Sequence, residues 1–245
     1  MNARVPLDAR LVWPPMALAA ALTLAFASPA LVGAGTFAAP SDEGHLTTLI
    51  VEAFAGVGAS LTGAAVAVLT FGRRSPLRER LDRFVAAGLS PAEAAAGPLA
   101  LSIAALAAVS ALFAAVVVVV LRARVHLGEP SLRLADALGT AWGVGLSTAC
   151  WTSLALAIVA ARGARRWPFA LVALDVVGRA VPGAASWLHP ASHVANVLGA
   201  PPPSGTVAAP VVPQLGSVAV LLAVVAVAWS VARARYRGAI AAGSR

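Results

Sequence analysis

Gly72-Arg73-Arg74-Ser75-Pro76-Leu77-Arg78-Glu79-Arg80-Leu81-Asp82-Arg83-Phe84 lies between two long apolar runs, and its five arginines are the feature from which the architecture is read. Arginine is costly to carry across a bilayer, so such a cluster between two membrane spans marks the cytoplasmic side. The same window predicts a helix over 76–87. Ser75 is a capping residue, Pro76 suits the first helical position, and Gly88 supplies a stop. Leu77, Leu81, Phe84 and Val85 recur at helical spacing, while Arg78, Glu79, Arg80, Asp82 and Arg83 fill the other face. The expected element is a short amphipathic helix on the cytoplasmic membrane surface, either an anchor for its loop or a partner-docking surface that offers Arg78, Glu79, Asp82 and Arg83 outward with Arg80 beside them. Ser90-Pro91-Ala92-Glu93 then reads as a capping box that opens a helix into the next span. Pro98 marks a kink in that helix or its entry into the membrane.

Composition agrees with a chain built around lipid. Of 245 residues 60% are hydrophobic and only 11% charged, against about 25% charged in soluble domains. The fold class expected is an all-α integral membrane protein, because a span takes about 20 apolar residues and leaves no room for a sizeable soluble domain. Six spans are expected, near 12–38, 47–71, 98–121, 134–161, 168–188 and 215–232, with the amphipathic helix between the second and third. All 245 residues then form a single polytopic domain.

Fourteen arginines fall in the segments that this arrangement places inside, against three outside (Arg122, Arg124 and Arg133). Both termini are therefore expected in the cytoplasm, with the chain in the cytoplasmic or inner membrane. The first run also has features of a cleavable signal, since Arg4 and Arg10 precede it and Ala25-Phe26-Ala27 resembles a cleavage site. Its apolar character continues to about Ala39, long enough to span, and the other orientations are the same in either case.

The net charge of +8 belongs mainly to arginines at span ends, where orientation and anionic headgroups account for it without nucleic acid. Lysine is absent. That excludes the phosphate-binding loop that uses a lysine, and also a lysine Schiff base or general base. The single cysteine, Cys150, allows no internal disulfide.

Few polar residues interrupt the spans. Glu52 lies near the outer end of the second, where it is either a proton or substrate contact or a residue that snorkels to the headgroups. Asp175 and Arg179 sit four apart in the fifth, placed to neutralise each other on one face. Ser147, Thr148, Thr152 and Ser153 either line a polar route or bond back to helix carbonyls. His189 and His193 have the spacing of paired metal ligands, but Pro190 and the lack of a third ligand favour an interfacial turn. No metal or cofactor is expected. Gly56, Ser60 and Ala64 in the second span, and Ala135, Gly139, Gly143 and Ser147 in the fourth, form small-residue stripes suited to close helix packing.

An inner amphipathic segment after the second span, the charged Arg78-Glu79-Arg80 and the Gly88-Leu89-Ser90-Pro91 turn into the third span resemble the permease subunit of the type-2 ABC exporters. The closing segment is also similar, with outer Leu188-His189-Pro190-Ala191-Ser192-His193-Val194, Pro201-Pro202-Pro203, and a last span ending in Arg233-Ala234-Arg235-Tyr236-Arg237. The resemblance implies a non-enzymatic permease working with a separate ABC ATPase subunit, as a homodimer or with a second permease. Phe84 to Pro91 also resembles the coupling segment of the lipopolysaccharide-extracting permeases, yet only about a dozen residues near 122–133 stand where those proteins carry a periplasmic β-domain. Two other classes stay open from the residues themselves. One is an intramembrane enzyme using His189, His193, Glu52 or Asp175, and the other a non-catalytic membrane scaffold.

Overall fold

The structure is a computed structural model that describes residues 58–72, 75–91, 93–97, most of 99–109 with 112, 134–160, 167–179, 187–198 and 213–241. Every regular element among the described residues is helical. In chain order they are α1 (Ala59–Phe71), α2 (Pro76–Ala86), α3 (Leu134–Val159), α4 (Trp167–Arg179), α5 (Pro190–Leu198) and α6 (Gln214–Ala241). A further apolar helical stretch, Glu93–Val109, follows α2. The expected first span, Glu52 and the segment 201–203 lie outside the described residues.

Two helices are long and apolar enough to cross a membrane, which supports a membrane protein. They are α3 with 26 residues and α6 with 28, so at about 1.5 Å per residue each exceeds a hydrocarbon core about 30 Å thick. α1 and the stretch Glu93–Val109 are shorter apolar helices. Residues 168–179 of the expected span 168–188 belong to α4 and 180–186 lie outside the described residues, and six crossings are not displayed by the described residues.

α3 is the centre of the bundle. It packs most extensively on α1 and α6 and also touches α4 and α5, and 72% of its span-forming window is buried against 22% for α6. The α1–α3 crossing is close because Gly63 has no side chain. A Cβ there would stand 2.8 Å from the Thr152 amide nitrogen and 2.9 Å from the Trp151 carbonyl carbon. Gly143 in α3 accepts Leu198 of α5, whose Cδ2 an added Cβ would overlap. Gly139, in the same small-residue stripe, faces open space. The backbone contact thus falls at Gly63, one position before the Ala64 of the expected stripe.

One apolar core joins Ala67 and Phe71 of α1, Leu81 of α2, Ala95, Leu99 and Ile103 of the following stretch, five residues from Ala155 to Ala160, and Ala228, Ala232 and Tyr236 of α6. A second lies toward the other end of α3, where Val144, Leu146 and Cys150 meet Val194 of α5 and Leu221 of α6. The two clusters fix α6 against α3 near both of its ends.

Candidate functional site

α2 is built by local chemistry at both ends. The Ser75 hydroxyl accepts from the Arg78 amide at 3.4 Å, and Pro76 occupies the first turn, where its missing amide hydrogen costs nothing. At the other end Gly88 takes φ +101°, a conformation that favours glycine. The Gly88 amide donates to the Val85 carbonyl and the Leu89 amide to that of Phe84, which closes the helix in a Schellman motif. The next helix begins two residues later, where the Ser90 hydroxyl accepts from the Glu93 amide at 3.3 Å and donates to the Glu93 carboxylate. The start and stop expected for 76–87 are thus both present, with Ala87 as the cap residue.

The helix faces are arranged differently from the binary pattern. Leu81 is fully buried in the core, as expected, but so is most of Arg78, at 8% exposure. Its guanidinium carbon lies 5.3 Å from the ring centroid of Tyr236, near the far end of α6. Tyr236 is itself completely buried and donates its hydroxyl to Asp82 Oδ1 at 2.9 Å. Arg78, Leu81, Asp82 and Val85 share one face through i, i+3, i+4 and i+7 spacing, and that face meets the bundle. The expectation that Arg78 and Asp82 point outward is corrected accordingly: an aromatic ring with a donor at its tip gives both charges a partner inside. Cation–π attraction serves Arg78, and a hydrogen bond serves Asp82.

Glu79 and Arg83 remain on the exposed side, one turn apart, together with Ala86. Arg80 is half-buried, its guanidinium carbon 5.8 Å from the Phe84 ring centroid. Tyr236 is the residue through which the end of α6 meets both charges of α2. Its signal in the sequence is its position as the single tyrosine of the chain, set among arginines after an apolar span.

The end of α6 makes two other contacts. Arg235 donates from Nη1 to the Ala157 carbonyl of α3 at 3.3 Å, and the Arg233 guanidinium carbon lies 4.7 Å from the Trp229 ring centroid. Arg235 and Tyr236 together hold α6 to both α3 and α2.

At the opposite end of α6 a polar chain surrounds His193. Asn196 Nδ2 donates to Ser217 Oγ at 2.8 Å, Ser217 Oγ stands 3.1 Å from His193 Nδ1, and His193 Nε2 is 2.9 Å from the Trp187 carbonyl oxygen. A carbonyl only accepts, so Nε2 carries the hydrogen and Nδ1 accepts from Ser217 in the neutral imidazole. Burial pushes the His193 pKa below its ordinary value, partly opposed by the bond to Trp187. Ser217 is 0% and His193 5% exposed, so the pair offers no face to a substrate. It joins α5 to α6.

His189 is half-exposed just before α5, and among the described residues no group of three potential metal ligands occurs. Thr148 and Ser153 bond back to the carbonyls of Val144 and Cys150, the ordinary role of a helical hydroxyl. Asp175 and Arg179 both lie on α4. Comparison of the chain with known protein families, with characterised proteins and with solved structures finds no match, so the exporter resemblance rests on its own residues.

Proposed function

We propose that this chain is the membrane-spanning permease subunit of an ABC-type exporter, with six spans and both termini cytoplasmic, in the cytoplasmic or inner membrane. It moves its substrate with energy from a separate ATPase subunit, since it has no lysine for a phosphate-binding loop, and it works as a pair with a second copy or a relative. The observation that carries this reading is the two-sided character of α2. One side inserts Leu81 and engages Tyr236 of α6 through Arg78 and Asp82, while the other exposes Glu79 and Arg83. A helix anchored to a long apolar helix and charged on its free face suits transmission of a partner's movement. Coupling of that kind needs an element whose position both sites bias.

Exchange of the two exposed charges, Glu79→Arg with Arg83→Glu, tests the docking. The exchange keeps net charge and leaves the Tyr236 contacts alone, so membrane insertion is expected to persist. Recovery of the ATPase subunit on purification, and ATP-dependent transport, are expected to fall several-fold because charge complementarity across the interface is lost. Unchanged recovery and transport would reduce α2 to an anchor. In a Cys150→Ser background, Arg80→Cys is expected to react with a membrane-impermeant thiol reagent only from the cytoplasmic side. Labelling from outside sinks the orientation.

A further inference from the structure

We infer that the end of α6 holds a specific site for an anionic phospholipid headgroup, formed by Arg233 and Arg237 with Ser230 and bordered by Trp229. The inference rests on α6 being a membrane span and is independent of the exporter reading.

An open groove of about 190 Å³ is lined by Ser230, Arg233, Ala234 and Arg237. Positions 230, 233, 234 and 237 fall on one helix face. Arg233 is held in place by its stacking on Trp229. Its Nε is buried with no acceptor among the described residues. Arg237 is exposed. The Ser230 hydroxyl donates to the Ala226 carbonyl, so its hydrogen is already committed within the helix. The groove therefore offers two guanidinium groups, whose planar donors match a phosphate.

The occupant is a lipid rather than a free anion because of what continues from the groove. Leu222 is 51% exposed, and Ala223 and Ala226 are exposed too, on the face of α6 that carries Ser230, Arg233 and Arg237 through i+4, i+7 and i+11 spacing. A phosphodiester at Arg233 and Arg237 thus has an apolar strip beside it for its acyl chains. Trp229 stands where the apolar run gives way to arginines, the level at which an indole settles at a membrane boundary.

The test is native mass spectrometry of the detergent-purified full chain, delipidated and then given equal phosphatidylglycerol and phosphatidylcholine. The wild-type chain is expected to retain phosphatidylglycerol preferentially. Arg233→Gln and Arg237→Gln are each expected to lower that retention roughly fivefold, from about 1 kcal/mol per surface arginine. Arg237 makes no described internal contact, so its variant reports even where Arg233→Gln disturbs packing. Arg245→Gln removes the same charge elsewhere in the sequence and is expected to leave retention unchanged. Equal retention of the two lipids, or an equal loss with Arg245→Gln, overturns the site. Displacement of lipid by millimolar inorganic phosphate would assign the groove to a free anion instead. Loss of a dimer rather than of lipid in Arg237→Gln would assign it to a second copy of the chain.

Discussion

The hydroxyl of Tyr236 donates to Asp82 at 2.9 Å across 154 positions of sequence, so the amphipathic helix α2 and the end of the last helix α6 are tied by a side-chain bond. The tyrosine ring also lies 5.3 Å from the Arg78 guanidinium. One residue thereby satisfies both an acid and a base one helical turn apart.

Tyr236→Phe keeps the ring over Arg78 and removes only the hydroxyl. It is expected to lower stability by about 1–2 kcal/mol, the range of a hydrogen bond to a carboxylate that is partly exposed to solvent. Tyr236→Ala removes a fully buried ring and is expected to cost about 3–5 kcal/mol. Thermal unfolding in detergent measures both. In a double-mutant cycle with Asp82→Asn the two losses should not add.

Gly63→Val places methyl groups where the Thr152 amide nitrogen already lies 2.8 Å from a Cβ. The α1–α3 crossing must then open, at an expected cost of about 1–3 kcal/mol. Gly139→Ala, in open space on a helix, is expected to be neutral or stabilising by up to about 1 kcal/mol. The same unfolding midpoint separates the two. Equal effects would remove Gly63 as the point of closest approach.

His193 is buried and its pKa is lowered, chiefly by desolvation. The unfolded chain therefore binds the proton at a higher pH than the folded one. Stability from this residue is fully present above the ordinary imidazole value of 6.5 and is lost as pH falls from there through the lowered folded value. The unfolding midpoint is expected to drop as pH is lowered from about 7.5 to about 5. His193→Gln, which has no proton to gain, should flatten that dependence while lowering the midpoint at neutral pH.

Asp175 and Arg179 are four apart on α4. If they neutralise each other, Arg179→Leu leaves a lone carboxylate and reduces the folded yield, and adding Asp175→Asn restores part of it. Fluorescence-detected size-exclusion of the membrane extract measures the yield. Strict additivity would count against the pair.

The helical class, the long apolar helices α3 and α6, and α2 with its limits were all legible in the residues alone, because each follows from short-range physics. An apolar run as long as residues 215–232 has its own solvent preference, and Ser75, Pro76 and Gly88 act on amides and carbonyls within five residues of themselves. Which side of α2 faces the bundle was settled by packing. A binary pattern places every arginine and aspartate outside, because it scores each side chain against water or lipid alone. Arg78 and Asp82 turn inward because Tyr236 supplies a π face and a donor there, and Gly63 outranks its neighbouring small residues because the Thr152 backbone lies against it. The partner of Ser217 was hidden for the same reason. A hydroxyl in an apolar helix carries no mark of the histidine, 24 residues earlier, that it bonds.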